Sequence, residues 1–491
     1  MSEGGEETVA APARQAITYT VLGALPRALG FLLLPVYTRA LGAGDYGRMS
    51  IAMAIFSVAT FLMSSGLEIS LFRSWFDLRD DQSQQETFIQ SAWRFLIVFP
   101  LAAALVLGAL AMAVGGFADL TGQQIALALL ASAAQTASTV VPTTVARARE
   151  DLGSYIRLSL TATIPTTAIS ILFVVVLDLG VSGWIAAIAI GQAISLGFAF
   201  VIVPIRRCKF DWPLVRKGIA FGLPTVPHQT AAWALNLADR LVLSGIVTSA
   251  ALGVYSLGAN LAVPVMVAVM SLGQAMMPSW SRAGMGEITG KDLNRLVTGQ
   301  VAAVALVTGA VALMASPLVA LMSPPSFSGA GEVVGWIALG YGLLGLYYIP
   351  ASCINLATGR NRLIWVGSTV GAAVNIALLF LVVPSGGIRA AAIASAVGYA
   401  VLLLCTSGYW VSVRRDSPIR IPWASSVPPV MVVLVVWIAA DLTLPLTGAT
   451  GLVTRLLGCL ALLIAAIASG AFGPAGAAAS AVKARLARNS A

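Results

Sequence analysis

Arg27 lies within the apolar stretch LGALPRALGFLLLPVYTRALGAGDYG at 22–47. A charge at the depth of a bilayer is costly and usually faces a bundle interior or a hydrated cavity. Pro26 and Pro35 each free a backbone carbonyl, which neighbouring helices or a cavity must satisfy. A guanidinium offers five donors in a fork that matches phosphate oxygens. We predict that Arg27 lines a cavity and binds an anionic group, with an internal salt bridge or a snorkelling side chain as the alternative. Arg39, where the stretch leaves the bilayer, is a second candidate for substrate binding.

Asp239 and Arg240 lie toward the predicted outer end of a later apolar segment, in NLADRLVL. Adjacent helical residues point about 100° apart, so we expect one to line the cavity while the other pairs with a neighbouring helix, or both to mark the outer interface. His228, the only histidine, follows LPTVP in the same segment. A histidine there can titrate near neutral pH, so proton coupling and a structural hydrogen bond both stay open. Arg240 is thus a candidate substrate ligand, and Asp239 and His228 are candidate ion-coupling residues.

Glu68 and Arg73 lie near the predicted cytoplasmic end of the second segment, in SSGLEISLFRSW. Their spacing differs from that of an i, i+4 pair, so we expect each to meet another element as an anchor or a cytoplasmic gate. Tyr46, next to Gly47, and the Tyr347-Tyr348 pair are suited either to sugars or to an aromatic belt at the interface.

Uncharged polar and tryptophan side chains also interrupt the apolar segments. We expect most of the amides to join helices by hydrogen bonds. They are Gln135, Gln192, Asn236, Asn260, Gln274, Asn355 and Asn375. We expect the tryptophans near segment ends to form an interfacial belt. They are Trp75, Trp93, Trp212, Trp280 and Trp423.

The elements that position these residues are membrane helices. Of the 491 residues, 58% are hydrophobic and 10% are charged, whereas soluble proteins carry about 25% charged residues. The charges divide the chain into about fourteen apolar runs of roughly 20 residues or more, the length that spans a bilayer. The predicted spans are 16–41, 49–72, 93–116, 121–146, 153–178, 181–205, 217–247, 250–280, 295–322, 331–358, 362–384, 387–412, 425–443 and 450–473. The predicted fold class is an all-α integral membrane protein.

The basic residues predict the orientation of these helices. With the N-terminus inside, 23 of the 29 lysines and arginines fall in cytoplasmic segments, four in outer loops and two within spans. This asymmetry follows the positive-inside rule, so we predict that both ends are cytoplasmic. The basic loop 206–217 and the tail 483–488 are explained by topology, although either could dock a partner; we expect no nucleic acid.

A loose internal repeat divides the chain into two pseudo-symmetric lobes. The segment LGVSGWIAAIAIG, with Gly180 and Gly191, is similar to GGIRAAAIASAVG, and its glycines fall 207 residues before Gly387 and Gly398. Two halves that each open with a Pro-interrupted polar helix indicate a transporter. The predicted organisation is a cytoplasmic tail (1–15), an N-lobe of helices 1–6 (16–205), a cytoplasmic linker (206–216), a C-lobe of helices 7–12 (217–412), two additional helices (413–473) and a basic cytoplasmic tail (474–491).

Motifs for catalysis, metals or cofactors are missing from the sequence. It has no Walker A, G-x-S-x-G or H-E-x-x-H motif, and its four cysteines lie far apart. We predict a protein that is not an enzyme and has no cofactor. A membrane glycosyltransferase or polymerase would need a long outer loop with catalytic acids, and the predicted outer loops are short. A non-transporting scaffold is a further alternative.

The opening of the chain resembles the first two helices of polysaccharide export flippases of the Wzx or O-antigen type. The resemblance rests on Y-x-R-x-L-G-x-x-x-Y-G at 37–47, then Gly66-Leu67-Glu68 and Phe72-Arg73. The pieces A-D-R at 238–240 and G-V-Y-S at 253–256 are similar to the start of that family's second half. The family belongs to the MATE-like (MOP) superfamily, with the lipid II flippase and the multidrug extruders. PRALGF at 26–31 is also similar to a first-helix segment of the lipid II flippase, whose arginine lines the cavity.

The resemblance implies a two-lobed bundle in the bacterial inner membrane. It would move an undecaprenyl-diphosphate-linked oligosaccharide from the inner to the outer leaflet by alternating access through a cationic central cavity. Coupling to H⁺ or Na⁺, contact with membrane lipids, and polymerase or glycosyltransferase partners are further expectations. A multidrug or cation extruder and a lipid II flippase are the alternatives within the superfamily. An extruder would want an acidic cavity, and the deep charges here are mostly basic.

Overall fold

The computed structural model describes residues 25–204, 209–223, 226–288, 290–414, 419, 421 and 448–468. These form helices, with one short hairpin of strands Gly116–Phe117 (β1) and Leu120–Thr121 (β2). The helices in chain order are 25–32 (α1), Leu34–Met63 (α2), Leu67–Asp77 (α3), Gln82–Val114 (α4), Gly122–Ala148 (α5), Leu152–Ile171 (α6), Gly180–Ile202 (α7), Trp212–Gly222 (α8), Val226–Trp233 (α9), Asp239–Leu243 (α10), Ser249–Gly284 (α11), Gly290–Leu313 (α12), Ala315–Met322 (α13), Gly331–Ser352 (α14), Ile364–Val413 (α15) and Gly448–Ala468 (α16). Three π-helical turns, Leu172–Val176, Ala234–Ala238 and Cys353–Thr358, directly follow α6, α9 and α14. Two 3₁₀ segments, Pro325–Ala330 and Asn361–Leu363, complete the described helices.

Nine helical segments of the described chain are long and apolar enough to cross a membrane. Two of them are compound, because the backbone leaves the helical region at Gly42 (φ 67°) in α2 and at Gly387 (φ 59°) in α15. Gly42 lies between the predicted spans 16–41 and 49–72, and Gly387 is the first residue of the predicted span 387–412. Glycine reaches positive φ without the steric penalty of a side chain. The all-α, multi-pass architecture is therefore confirmed. The number of fourteen membrane spans and the cytoplasmic position of both chain ends stay predictions.

Several predicted spans are less regular than expected, including the second and the seventh. The second, 49–72, is interrupted at Ser65 (φ 52°) and Gly66 (φ 68°), so that α3 begins anew at Leu67. The seventh, 217–247, is divided into α8, α9, a π-helical turn and α10. The sequence explains the division of the seventh span in part, because Pro224 and Pro227 remove two backbone donors from that run.

The described chain forms two compact units. The first takes the described residues up to Thr230 together with Thr248–Gly253. Its core packs α3, α4, α5 and α7 around the fully buried Trp93, whose indole N–H donates to the Ala137 carbonyl at 2.9 Å. The prediction that Trp93 belongs to an interfacial belt is therefore wrong, because its side chain is buried and its N–H is paired inside the unit.

Backbone-to-backbone approaches hold parts of the first unit together. A Cβ on Gly47 would lie 1.9 Å from the Ser249 carbonyl oxygen, and one on Gly222 would lie 2.2 Å from that of Gly66. No side chain fits at such distances. The β1–β2 hairpin turns through two positive-φ residues, Ala118 and Asp119, and the Asp119 carboxylate accepts a hydrogen bond from the Ser249 hydroxyl.

The second unit takes Ala231–Val247 and the described residues from Val254 onward. One of its cores surrounds Trp280, which is fully buried and donates to the Gln300 side chain at 3.0 Å. Trp280 is thus a core residue and not part of a belt, because its indole N–H finds its partner inside the protein.

Several predicted regions lie outside the described residues. These are the tail 1–15, the span 425–443, the tail 474–491 and part of the linker 206–216. The described end of that linker, from Trp212, already belongs to α8. The boundaries of the lobes stay predictions.

Candidate functional site

Asp239 and Arg240 form a buried ion pair in the second unit. Their side chains are only 4% and 6% exposed, and Arg240 Nη1 lies 3.3 Å from Asp239 Oδ1. The same Nη1 donates to the Asn236 carbonyl at 2.8 Å, and Nη2 lies 3.5 Å from the side-chain oxygen of Asn260 on α11. A buried charge is stable only when it is paired and hydrogen-bonded, and this pair meets both conditions.

The second carboxylate oxygen of Asp239 accepts a hydrogen bond from the Tyr255 hydroxyl on α11. The Tyr255 hydroxyl also lies 3.4 Å from the Ser395 hydroxyl on α15, which in turn accepts from the Asn375 amide at 3.3 Å. A continuous hydrogen-bonded path therefore connects the carboxylate on α10 to α15.

A third contact reaches α15 from the π-helical turn that precedes α10. The Tyr399 hydroxyl donates to the side-chain oxygen of Asn236 at 3.0 Å. The Tyr341 ring on α14 packs edge-on against Tyr399, with 5.8 Å between centroids. We call the connected residues the Asp239 cluster: Asn236, Asp239, Arg240, Tyr255, Asn260, Asn375, Ser395 and Tyr399.

The Asp239 cluster differs from the expected arrangement of its two charges. We expected adjacent residues to point apart, yet the guanidinium of Arg240 folds back toward the preceding turn and meets Asp239. The long arginine side chain allows this return, and the π-helical turn Ala234–Ala238 changes the local helical register. The partners Tyr255 and Tyr399 were not predicted, although Tyr255 lies within the G-V-Y-S piece. The cluster connects the buried Asp239 carboxylate to α11 through Tyr255 and, by way of the Tyr255 hydroxyl, to Ser395 on α15.

The other candidate cations lie on the surface of the first unit. Arg27 in α1 is exposed, and exposed Arg39 in α2 donates to the Pro35 carbonyl at 3.4 Å. The exposure of Arg27 is compatible with a cavity-lining role and does not test it. His228 lies in α9, and its side chain falls outside the described residues.

The gate candidates meet different partners. Glu68 forms a salt bridge of 2.7 Å with Arg147 at the end of α5, as expected for a contact with another element. Arg73 pairs at 3.0 Å with Asp77 on its own helix and lies 4.6 Å from the centre of the Phe221 ring on α8. The sequence did not indicate Arg147 or Phe221, because both contacts join helices far apart in the chain.

The tyrosines predicted to contact sugars differ in whether a ligand can reach them. Tyr46 is fully buried in the first unit and cannot contact a sugar there. Tyr347 and Tyr348 line a cavity in the second unit. Within the described residues, no group of three His, Cys, Asp or Glu side chains is arranged to hold a metal ion.

Comparison with known families gives one match that covers more than half of the chain. The model of the family described as "Polysaccharide biosynthesis protein" matches residues 36–324. The chain belongs to this family. The matched residues include Glu68, Arg73 and the charged pair of the Asp239 cluster. No curated protein matches the chain.

Solved structures show which fold this polysaccharide biosynthesis protein has. The lipid II flippase MurJ, in an inward closed conformation, has 13% identity and a TM-score of 0.67, over 91% of this chain and 97% of MurJ. An inward-facing multidrug resistance MATE family transporter of the MOP superfamily has 13% identity and a TM-score of 0.58, over 80% and 99%. A mutant of the Vibrio cholerae MATE transporter VcmN has 17% identity and a TM-score of 0.56, over 83% and 98%. The described chain therefore has the fold of these transporters.

Proposed function

We propose that this protein flips an undecaprenyl-diphosphate-linked oligosaccharide, a polysaccharide repeat unit, from the inner to the outer leaflet by alternating access. One observation carries the proposal: a chain of the polysaccharide biosynthesis family has a fold similar to that of a lipid flippase. A diphosphate cannot enter hydrocarbon unaided, because an unpaired charge there is strongly destabilised. The protein therefore needs a hydrated, positively charged path for the diphosphate, while the lipid tail of the substrate stays in the bilayer.

Arg27, Arg39 and Arg240 are the proposed ligands of the diphosphate. Arg27 and Arg39 are exposed on apolar helices of the first unit, and the forked donors of a guanidinium match phosphate oxygens. Arg240 is already paired with Asp239, so it binds the substrate only in a conformation that breaks this pair. Asp239 is the stronger candidate for H⁺ or Na⁺ coupling, with His228 as the second.

We place the protein in the bacterial inner membrane with both ends cytoplasmic, about fourteen helices and no enzymatic activity. Glu68 and Arg73 are the proposed cytoplasmic gate. Polymerases or glycosyltransferases that act on the same lipid-linked sugars are the proposed partners.

Two related functions compete with this proposal. A lipid II flippase is favoured by the similarity to MurJ, and a multidrug or cation extruder by the similarity to MATE transporters. The first predicts that depletion stops peptidoglycan synthesis. The second predicts that deletion leaves surface glycans intact and raises sensitivity to cationic drugs.

The experiment that tests the proposal is complementation of a strain that lacks the protein. Surface polysaccharide and the inner-leaflet lipid-linked intermediate are measured for wild type, Arg27→Ala and Arg27→Lys. We expect Arg27→Ala to reduce export about tenfold or more, because charge-assisted hydrogen bonds contribute about 1.5–3 kcal/mol. Rescue by Arg27→Lys would mean that charge suffices, and failure to rescue that the guanidinium fork is needed.

The control is Arg295→Ala, which removes an exposed arginine paired with Asp292 on α12. Membrane levels of all variants must equal those of wild type. Normal export by both Arg27 variants would show that Arg27 is structural. Intact surface polysaccharide in the deletion strain would overturn the proposed function itself.

A further inference from the structure

The second unit contains a cavity of ≈220 Å³ that is separate from the Asp239 cluster. It lies beside α11 and α14 and extends to the π-helical turn Cys353–Thr358. The side chains that define it are Met270, Gln274, Met277, Tyr347, Tyr348 and Asn355. None of the described residues that line it is charged.

Two tyrosine rings form the aromatic part of this cavity. The centroids of Tyr347 and Tyr348 lie 5.5 Å apart and the rings are inclined by 53°. A Cβ on Gly273 would lie 3.3 Å from the Tyr348 ring, so the glycine lets this ring approach α11 closely. Aromatic faces carry partial negative charge, which attracts the polarised C–H groups on one face of a pyranose.

Two amides provide the hydrogen-bonding part of the cavity. Gln274 and Asn355 are exposed although both belong to apolar, membrane-spanning segments. An amide that faced hydrocarbon without a partner would be destabilising, so these two face water or a ligand. Each amide offers two donors and one acceptor oxygen, which complements neighbouring hydroxyls. Asn355 lies in a π-helical turn, a feature frequent at functional sites.

The chemistry of the lining selects one class of ligand. A phosphate would require a cation and a lipophilic cation would favour a carboxylate, and the lining offers neither. The cavity is also smaller than the about 300–1,000 Å³ typical of sites for drug-sized ligands. We infer that this cavity binds a single neutral sugar ring of the transported oligosaccharide, which rests on the proposed function.

The position of the cavity gives the sugar site a place in the transport cycle. Asn355 precedes Arg360, and Gln274 precedes Arg282, both of which belong to predicted cytoplasmic loops. On this orientation the cavity lies in the cytoplasmic half of the membrane. It therefore receives the sugar before translocation.

The test measures binding of free sugars to the full chain in lipid nanodiscs. Methyl glycosides of glucose, galactose, mannose and rhamnose are titrated and observed by saturation-transfer NMR. We expect at least one glycoside to bind, and we expect Tyr348→Ala and Gln274→Ala to weaken it about tenfold. The control Phe380→Ala removes an exposed ring from α15 of the same unit and is expected to bind as wild type does.

Thermal unfolding identifies variants that fail to fold. If Tyr348→Ala is among them, Gln274→Leu and Asn355→Leu replace it, because both side chains are exposed. Absence of glycoside binding to wild type, or equal binding by the cavity variants and wild type, overturns the inference. Binding of tetraphenylphosphonium in place of the glycosides also overturns it and favours the extruder. Failure of the proposed function is detected separately, as intact polysaccharide export in the deletion strain.

Discussion

At the scale of single residues, the charges within the membrane divide into two kinds. Arg27 and Arg39 are exposed, whereas Asp239 and Arg240 pair with each other inside the second unit. Accessible guanidinium groups are suited to a substrate that arrives and leaves. Under the proposed ion coupling, the closed network of carboxylate, guanidinium and hydroxyls holds one conformation until a proton or a sodium ion changes its charge.

The first prediction concerns the buried ion pair. Asp239→Asn leaves the Arg240 charge without its partner. We therefore expect the free energy of unfolding in detergent to fall by about 3–5 kcal/mol. The double variant Asp239→Leu with Arg240→Met removes both charges and is expected to recover most of this loss. Thermal unfolding followed by tryptophan fluorescence measures both effects.

The matched control is Asp292→Asn, which breaks an exposed pair with Arg295 and should change stability by less than about 1 kcal/mol. If the double variant is stable but exports no polysaccharide, Asp239 or Arg240 acts in transport. If it is stable and exports normally, both charges are structural and the coupling role assigned to Asp239 is wrong.

The second prediction concerns the Glu68–Arg147 salt bridge. The pair is half-exposed, so Glu68→Arg should change the free energy of unfolding by less than about 1 kcal/mol. If the pair acts as a gate, the same substitution should lower export several-fold, and adding Arg147→Glu should restore it. A double variant that exports no better than Glu68→Arg would contradict the proposed gate. Arg73→Ala tests the neighbouring gate candidate separately.

The site residues could be predicted from the sequence only in part. Charges within apolar runs are conspicuous, which is why Arg27, Asp239 and Arg240 were found. Their neighbours were not, because Tyr255 and Tyr399 resemble any aromatic residue in a membrane helix until the tertiary structure brings them to the carboxylate. Gln274 and Asn355 were expected to join helices, and only the structure distinguishes a cavity amide from such a contact.

At the scale of elements, close backbone approach determines which glycines are essential. Gly47 on α2 and Gly253 on α11 leave no space for a methyl group: a Cβ on Gly253 would lie 1.9 Å from the Ala43 carbonyl oxygen. Small residues allow such approach in membrane proteins, where van der Waals packing replaces the hydrophobic effect as the cause of helix association.

The third prediction compares two glycines of α2. Gly47→Ala forces the helices apart, so we expect a loss of about 1–3 kcal/mol in stability and a lower membrane level. Gly44→Ala, one turn earlier, meets nothing within 4 Å and is expected to be neutral or slightly stabilising. Equal thermal unfolding of the two variants would contradict this account of the contact.

Most helix positions followed from the sequence, because charged residues separate apolar runs whose length is set by the bilayer. The breaks at Gly42 and Gly387 followed as well, since glycine separates two apolar runs at each position. The interruption at 64–66 and the π-helical turns did not. No local pattern of residues specifies them.

At the scale of the whole molecule, the topology of the helices determines which side of the membrane each site faces. The glycines Gly180 and Gly387 both have a positive φ, of 56° and 59°, and occupy equivalent places in the proposed repeat. Two halves with six helices each would start on the same side of the membrane. The sugar site is cytoplasmic only if that side is inside.

The fourth prediction tests this premise with reporter fusions. Green fluorescent protein fused to either end of the chain should fluoresce, because both ends are predicted to be cytoplasmic. Alkaline phosphatase inserted after Gly387 should be active, since this break is predicted to face outward. Phosphatase activity at the C-terminus would show an odd number of helices and would contradict the predicted topology.

The adjacency of Asp239 and Arg240 has a consequence for biogenesis. A lone charge at the centre of a helix opposes membrane insertion by about 2.5–3.5 kcal/mol. These two charges are neighbours on one segment, so they can neutralise each other inside the translocon before any other helix of the second unit has been synthesised. We expect the isolated segment to insert more readily with the pair than with Arg240 alone, which glycosylation mapping of Asp239→Ala would measure. Equal insertion would mean that the pair forms only after assembly.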